Sequence, residues 1–172
     1  MKAIKDKMLI IFGGLPGNGK TTIAKILAQK LKAVYIRIDS IEQALIQSGI
    51  DKQQINASGY EVGYALVAEN LRLNMPVIAD SVNPLEITRE AWRNVGLEND
   101  SQFFEVEIVC SDKAEHRKRI KSRVSDIHNH KLPSWEDVLQ REYDPWLQDH
   151  LVIDTAKISA LDAANMIIGK IN

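Results

Sequence analysis

Eight consecutive residues carry the clearest chemistry in this chain: Gly14-Leu15-Pro16-Gly17-Asn18-Gly19-Lys20-Thr21. They fit the pattern G-x-x-x-x-G-K-[ST], and the residue types suit one task, holding a phosphate chain against backbone N–H groups. Glycine accepts positive φ and puts no side chain between backbone and anion, which is what Gly14, Gly17 and Gly19 offer. A helical pattern begins near Lys20, so helix N-terminal amides and the positive end of a helix dipole point at the same place. Lys20 is suited to neutralise β- and γ-oxygens and Thr21 to offer its hydroxyl to Mg²⁺, with Thr22 next to them. ATP with Mg²⁺ is therefore the predicted ligand.

Other candidates follow strand-like runs. Asp39 comes after Val34 to Ile38, where it either orients an acceptor hydroxyl and takes its proton or caps a helix starting at Ser40 or Ile41; the two roles are compatible. Arg37 either binds an anionic acceptor or lies at the surface. Asp80 closes the run Val77-Ile78-Ala79 and reads as a carboxylate of the Mg²⁺ shell, with a plain cap as the alternative. Asn83-Pro84 predicts a helix start, which also accounts for Ser81 and Asn83, and Arg89 reads as a solvated arginine of that helix. Asp112 and Glu115 predict a capping box ahead of a basic helix in which Arg119 and Arg123, four apart, share one face. His128-x-His130 lacks a third ligand for zinc and reads as an exposed loop pair, and Cys110 as a buried structural thiol.

The elements that must position these groups alternate. Met8 to Phe12, Val34 to Ile38, Pro76 to Ala79, Phe103 to Val109 and Leu151 to Ile153 are short apolar runs of the kind found in strands covered on both faces. Between them Ile23, Ile26, Leu27 and Leu31 keep helical spacing, as do Tyr60, Tyr64, Val67 and Leu71, then Ala91, Trp92 and Val95. A parallel α/β sandwich follows, with right-handed crossovers. Val124 to Ser134 reads as a mobile loop, and Ser134 as the cap of a helix packing through Trp135, Val138 and Leu139.

At 172 residues one domain is expected, spanning 1–172. No apolar run reaches the roughly 18 residues of a membrane span, and Met1 to Lys7 shows no cleavage pattern, so the expected address is cytoplasmic with no membrane partner. With 22 basic and 23 acidic residues, nothing in the overall balance favours bulk nucleic-acid binding.

Neither N-K-x-D nor D-x-x-G occurs, which argues against a GTPase. Taken with Ile36-Arg37-Ile38-Asp39, Val77-Ile78-Ala79-Asp80-Ser81-Val82-Asn83-Pro84 followed by Arg89, and Arg119-x-x-x-Arg123 before Pro133, the phosphate loop resembles the small P-loop kinases of the AAA-like or zeta-toxin-like group. That group includes polynucleotide 5′-kinase, whose order of landmarks is most similar, gluconate kinase, adenylylsulfate kinase and chloramphenicol phosphotransferase. The resemblance covers most of the chain. It implies a three-layer P-loop fold, a five-stranded parallel sheet in the order 2-3-1-4-5 and a small helical lid over about residues 112–147. It also implies Asp39 as the base, Lys20, Arg119 and Arg123 as charge stabilisers, Thr21 and Asp80 as metal ligands, and adenine near Asp154-Thr155-Ala156. The function so implied is transfer of the γ-phosphoryl group of ATP to an unidentified acceptor, a small molecule or a polynucleotide end, by a monomer or weak dimer. A nucleotide-gated binding protein with slow ATP hydrolysis is the alternative.

Overall fold

A computed structural model describes residues 7–55 and 57–171; Met1 to Asp6, part of the N-terminal stretch read above, lies outside them. Strand β1 (Met8–Gly13) leads through the glycine-rich loop into α1 (Lys20–Leu31), then β2 (Val34–Arg37), α2 (Ile38–Gln47), a short α3 (Lys52–Ile55) and α4 (Ser58–Arg72). Next come β3 (Val77–Asp80), α5 (Glu86–Glu98), β4 (Gln102–Val109), α6 (Lys113–Ser122), α7 (Trp135–Leu139), β5 (Leu151–Asp154) and α8 (Ala160–Ile171). The five strands are parallel and ordered β2-β3-β1-β4-β5, as the resemblance implies. Register aligns Arg37 with Asp80 and Asp80 with Phe12, so the carboxyl ends of β2, β3 and β1 finish level. The segments leaving those ends, the loops with Gly14 and Ser81 and the first turn of α2 with Asp39, therefore emerge along one edge, where α/β sheets bind ligands.

All of β1 is buried because both faces are covered. Ile10 and Phe12 join Ile23 and Leu27 of α1 and Ala164 and Ile167 of α8 on one side. Leu9 and Ile11 join Ile38, Val67, Leu71 and Trp92 on the other. On that second side β4 presents Glu105 and Glu107, so part of the layer there is polar. Glu105 is 4% exposed and accepts from Arg93 at 3.1 Å; Glu107 accepts from the Tyr143 hydroxyl at 2.9 Å. Beside α5, which supplies Arg93, the segment 140–150 covers this part of the sheet, with Tyr143 and His150 reaching Glu107.

Several local expectations are corrected. Asn83 does not start α5: it sits in the left-handed region at φ 52, and the helix begins at Glu86, whose N–H is capped by Asp144 Oδ2 at 2.9 Å. That cap comes from the 140–150 segment, 58 positions away. α2 starts at Ile38 with Arg37 in the cap position, two residues earlier than Asp39 would need in order to cap it, which puts Asp39 in the first turn. Asp112 caps α6 through the Ala114 and Glu115 amides, but Glu115 pairs with Arg119 at 2.9 Å instead of closing a box. Ser134 and Asp137 form the full capping box of α7. Val138 packs inward while Leu139 is 64% exposed. Cys110 is partly exposed, its thiol 3.6 Å from the Asp112 carbonyl. Arg89 is completely buried; it donates to Glu86 at 3.0 Å and to the carbonyls of Asp144 and Pro145 at 3.0 and 3.1 Å, with Trp146 4.8 Å away for a cation–π contact.

Candidate active site

The loop between β1 and α1 takes its shape from three left-handed glycines, Gly14, Gly17 and Gly19, at φ 129, 83 and 92. A Cβ at Gly14 would collide with the Ile108 carbonyl, and one at Gly17 would come 2.6 Å from Ile120. The loop is thus pressed on β4 from one side and on α6 from the other. Asn18 ties it down by donating to the Ile108 carbonyl at 2.8 Å, and Gly14 N donates to the Val82 carbonyl at 3.0 Å. No side chain caps α1, whose cap position is Gly19, so its first amides have no competing intramolecular acceptor of that kind.

Lys20 folds back over the loop and donates to the Leu15 carbonyl at 3.1 Å while only 7% exposed. Burial pulls its pKa down to about 8, against the opposing attraction of Asp80 and Asp39. Thr21 donates to Asp80 Oδ2 at 2.8 Å, and the same oxygen accepts from the Tyr35 hydroxyl at 2.6 Å. Tyr35 was not anticipated. It lies in the apolar run of β2, where an aromatic residue is ordinary, and only the β2–β3 pairing reveals its hydroxyl beside Asp80. Burial and Asp80 both push its phenol above the usual range.

Lys20, Thr21, Thr22, Asp39, Asp80, Arg119 and Arg123 all line one cleft of about 1350 Å³, as do Pro16, Gly17 and Gly19. Gly14 and Asn18 instead bind back to the neighbouring backbone, and Leu15 contributes its carbonyl to Lys20. The cleft exceeds the roughly 300–1,000 Å³ of a single-ligand pocket. Asp39 stands on the α2 side, 3.5 Å from Arg37. The two α6 arginines differ. Arg119 is engaged by Glu115 at 2.9 Å and by the Thr155 hydroxyl and carbonyl at 2.8 and 3.1 Å. Among the described residues Arg123 makes only a long 3.5 Å bond to the Pro133 carbonyl, and its buried Nε has no hydrogen-bond partner there.

Two further contacts escaped sequence reasoning. His116 is 6% exposed, its Nε2 lies 2.8 Å from the Pro16 carbonyl and must therefore carry the proton, and Trp135 packs edge-on to its ring. α6 is thereby seated on the phosphate loop. The loop after α6 is held to the opposite wall by Asp126, which pairs with Lys25 of α1 and with Arg37 at 2.8 Å. These two cations hold the Asp126 carboxyl well below the usual carboxylate range. Arg37 is thus neither a lone surface residue nor a free anion receptor: it bridges Asp39 and Asp126.

Solved structures with the same fold include a proposed kinase from Chloroflexus aurantiacus j-10-fl, 20% identical, covering 98% of both chains at a TM-score of 0.77. APS kinase CysC of Mycobacterium tuberculosis, solved with AMPPNP and APS, is 17% identical over 96% of this chain and 98% of its own, TM-score 0.72. A gluconokinase from Sinorhizobium meliloti 1021 is 15% identical over 99% and 97%, TM-score 0.61. At these identities the likeness is one of fold. No curated protein is a significant match to the chain. The family model of the AAA domain (AAA_33) matches residues 9–142, and with most of the sequence and the whole phosphate loop inside that match, the chain belongs to this family of P-loop proteins.

Proposed function

We propose that the chain is an ATP-dependent phosphotransferase, a P-loop kinase that acts on a hydroxyl acceptor. One observation carries this reading: the phosphate loop and Asp39 share a cleft larger than a single-ligand pocket, leaving room for a second substrate beside the nucleotide. The oxygen donors Thr21 and Asp80, 2.8 Å apart at the loop, suit a hard cation such as Mg²⁺. When bound, ATP supplies the phosphoryl group and Mg²⁺ offsets its charge. Lys20 and Arg123 neutralise the equatorial oxygens, with Arg119 joining them on release from Thr155. Asp39 orients the acceptor hydroxyl and receives its proton as the acceptor O–P bond forms and the bond to the β-phosphate oxygen breaks, releasing ADP. His116 holds α6 against the loop, and residues 112–147 act as a lid that keeps water from competing as acceptor. Residues 1–172 work as one unit, in the cytoplasm.

The second reading, a nucleotide-gated binding protein, draws on the Asp126 bridge to Lys25 and Arg37, which would serve equally well as a nucleotide-sensitive latch. Transfer of label from [γ-³²P]ATP to an acceptor panel, with an acceptor-free control, separates the two. The Asp39→Asn variant should keep ATP affinity while losing transfer by about 10² or more. Undiminished transfer would remove Asp39 from the mechanism, and hydrolysis without transfer would favour the latch.

A further inference from the structure

The acceptor side of the cleft has a chemical character of its own. Asp39 and Glu42 stand three residues apart on α2 and so share its cleft-facing surface. Glu42 is folded flat against the start of α4 because Gly59 has no side chain: a Cβ there would collide with Glu42 Cγ and lie 3.0 Å from its Oε1. Although partly buried, the Glu42 carboxylate makes no hydrogen bond or ion pair among the described residues. Arg141 and Lys52 act on it only as more distant charges, and both are exposed at the rim. The adjacent Gln43 is 5% exposed and also lines the cleft, and its amide, able both to donate and to accept, has no hydrogen-bond partner among the described residues. The Tyr60 hydroxyl closes this corner, accepting from Asn83 N at 3.1 Å beside the Ser81 hydroxyl.

Neither group is shut off from the cleft, so a ligand entering there can supply the hydrogen bonds that no neighbouring residue makes to the Gln43 amide and the Glu42 carboxylate. The groups in question accept from hydroxyls (Asp39, Glu42) or both donate and accept (Gln43, Tyr60), as recognition of adjacent hydroxyl groups requires. An anionic acceptor in this corner would face Asp39 and Glu42, while the nearby cations of the cleft are either paired, Arg37 with Asp39 and Asp126, or exposed at its rim, Lys52 and Arg141. We infer that Glu42 and Gln43 form the acceptor subsite and that the acceptor is an uncharged polyhydroxy compound, of the sugar or nucleoside class, with Glu42 as the residue that excludes its anionic counterparts. This inference rests on the phosphotransferase reading above.

The test is [γ-³²P]ATP transfer by the full chain to matched pairs: glucose against gluconate, adenosine against adenosine 3′-phosphate, and a 5′-hydroxyl oligonucleotide. A neutral member should be labelled, and its anionic partner labelled roughly 10²-fold less, the scale of one like-charge encounter at a partly buried site. Glu42→Gln should raise the KM for the neutral acceptor about tenfold while the KM for ATP moves less than twofold, and Glu42→Arg should shift preference toward the anionic partner. Equal or better labelling of an anionic member, or an unchanged acceptor KM in Glu42→Gln, would overturn the inference while leaving the kinase reading intact. ATP hydrolysis with no member labelled would overturn both.

Discussion

Lys20 is the most informative residue to remove, because its buried charge strains the empty protein and should serve the loaded one. A pKa depressed from 10.5 to about 8 means that the protonated lysine is worse off in the folded chain than in the unfolded chain by roughly 3 kcal/mol. Lys20→Met keeps most of the side-chain volume and removes the charge, at the loss of the Leu15 hydrogen bond, about 1 kcal/mol. The ligand-free variant should therefore be more stable than the parent by roughly 2 kcal/mol at pH 7, which in a chain of this size raises Tm by about 4–8 °C. The sign depends on pH. Between about 8 and 10.5 the unfolded parent keeps the lysine proton and the folded parent has lost it, so parent stability rises with pH and the gap closes. With ATP·Mg²⁺ at a hundred times Kd the parent gains about 2.7 kcal/mol, a gain the variant lacks, and the order of stabilities reverses. Thermal melts across pH 7–11, with and without nucleotide, make the comparison. A ligand-free Lys20→Met that melts at or below the parent at pH 7, with a gap that ignores pH, would refute the argument that burial strains this lysine.

Three more outcomes are expected. Arg89→Met strips the Asp144 and Pro145 carbonyls of their donor and leaves Glu86 with Arg93 alone; a loss of about 3–5 kcal/mol should appear as a Tm lower by about 10 °C. Gly14→Ala places a methyl group against the Ile108 carbonyl in a backbone conformation strained for alanine, so urea denaturation should show a loss of about 1–3 kcal/mol and ATP titration a loss of affinity. Asp126→Asn removes the negative charge between Lys25 and Arg37 and should speed hydrogen exchange over residues 124–134, with little change in Tm because Asp126 and Lys25 are half-exposed and Arg37 keeps Asp39. In the parent this contact is present above the unfolded aspartate pKa and is lost as pH falls through the depressed folded value, so the same exchange should quicken only in acid and in high salt.

The sequence by itself determined the phosphate loop, the five strands and the apolar helix stripes, because each depends on neighbours a few residues away. A glycine at positive φ, a continuous apolar strand and a 3.6-residue repeat leave local marks. It also put Asp39 and Asp80 after strands, from which their arrival at one edge follows once the strands are parallel. Only the tertiary structure decided what lies opposite them. Tyr35 reads as a core aromatic until β2 pairs with β3 and brings its hydroxyl to Asp80. His116 reads as part of a basic run until α6 lands on the Pro16 carbonyl. Arg89, a surface arginine by its helical setting, is enclosed because the 140–150 segment folds over it and caps α5 from 58 residues away. Hydrogen bonds of that kind satisfy buried groups across the fold, and no local pattern of residues announces them. The free carboxylate and amide at Glu42 and Gln43 belong with these: their lack of partners is a property of the cleft, not of α2.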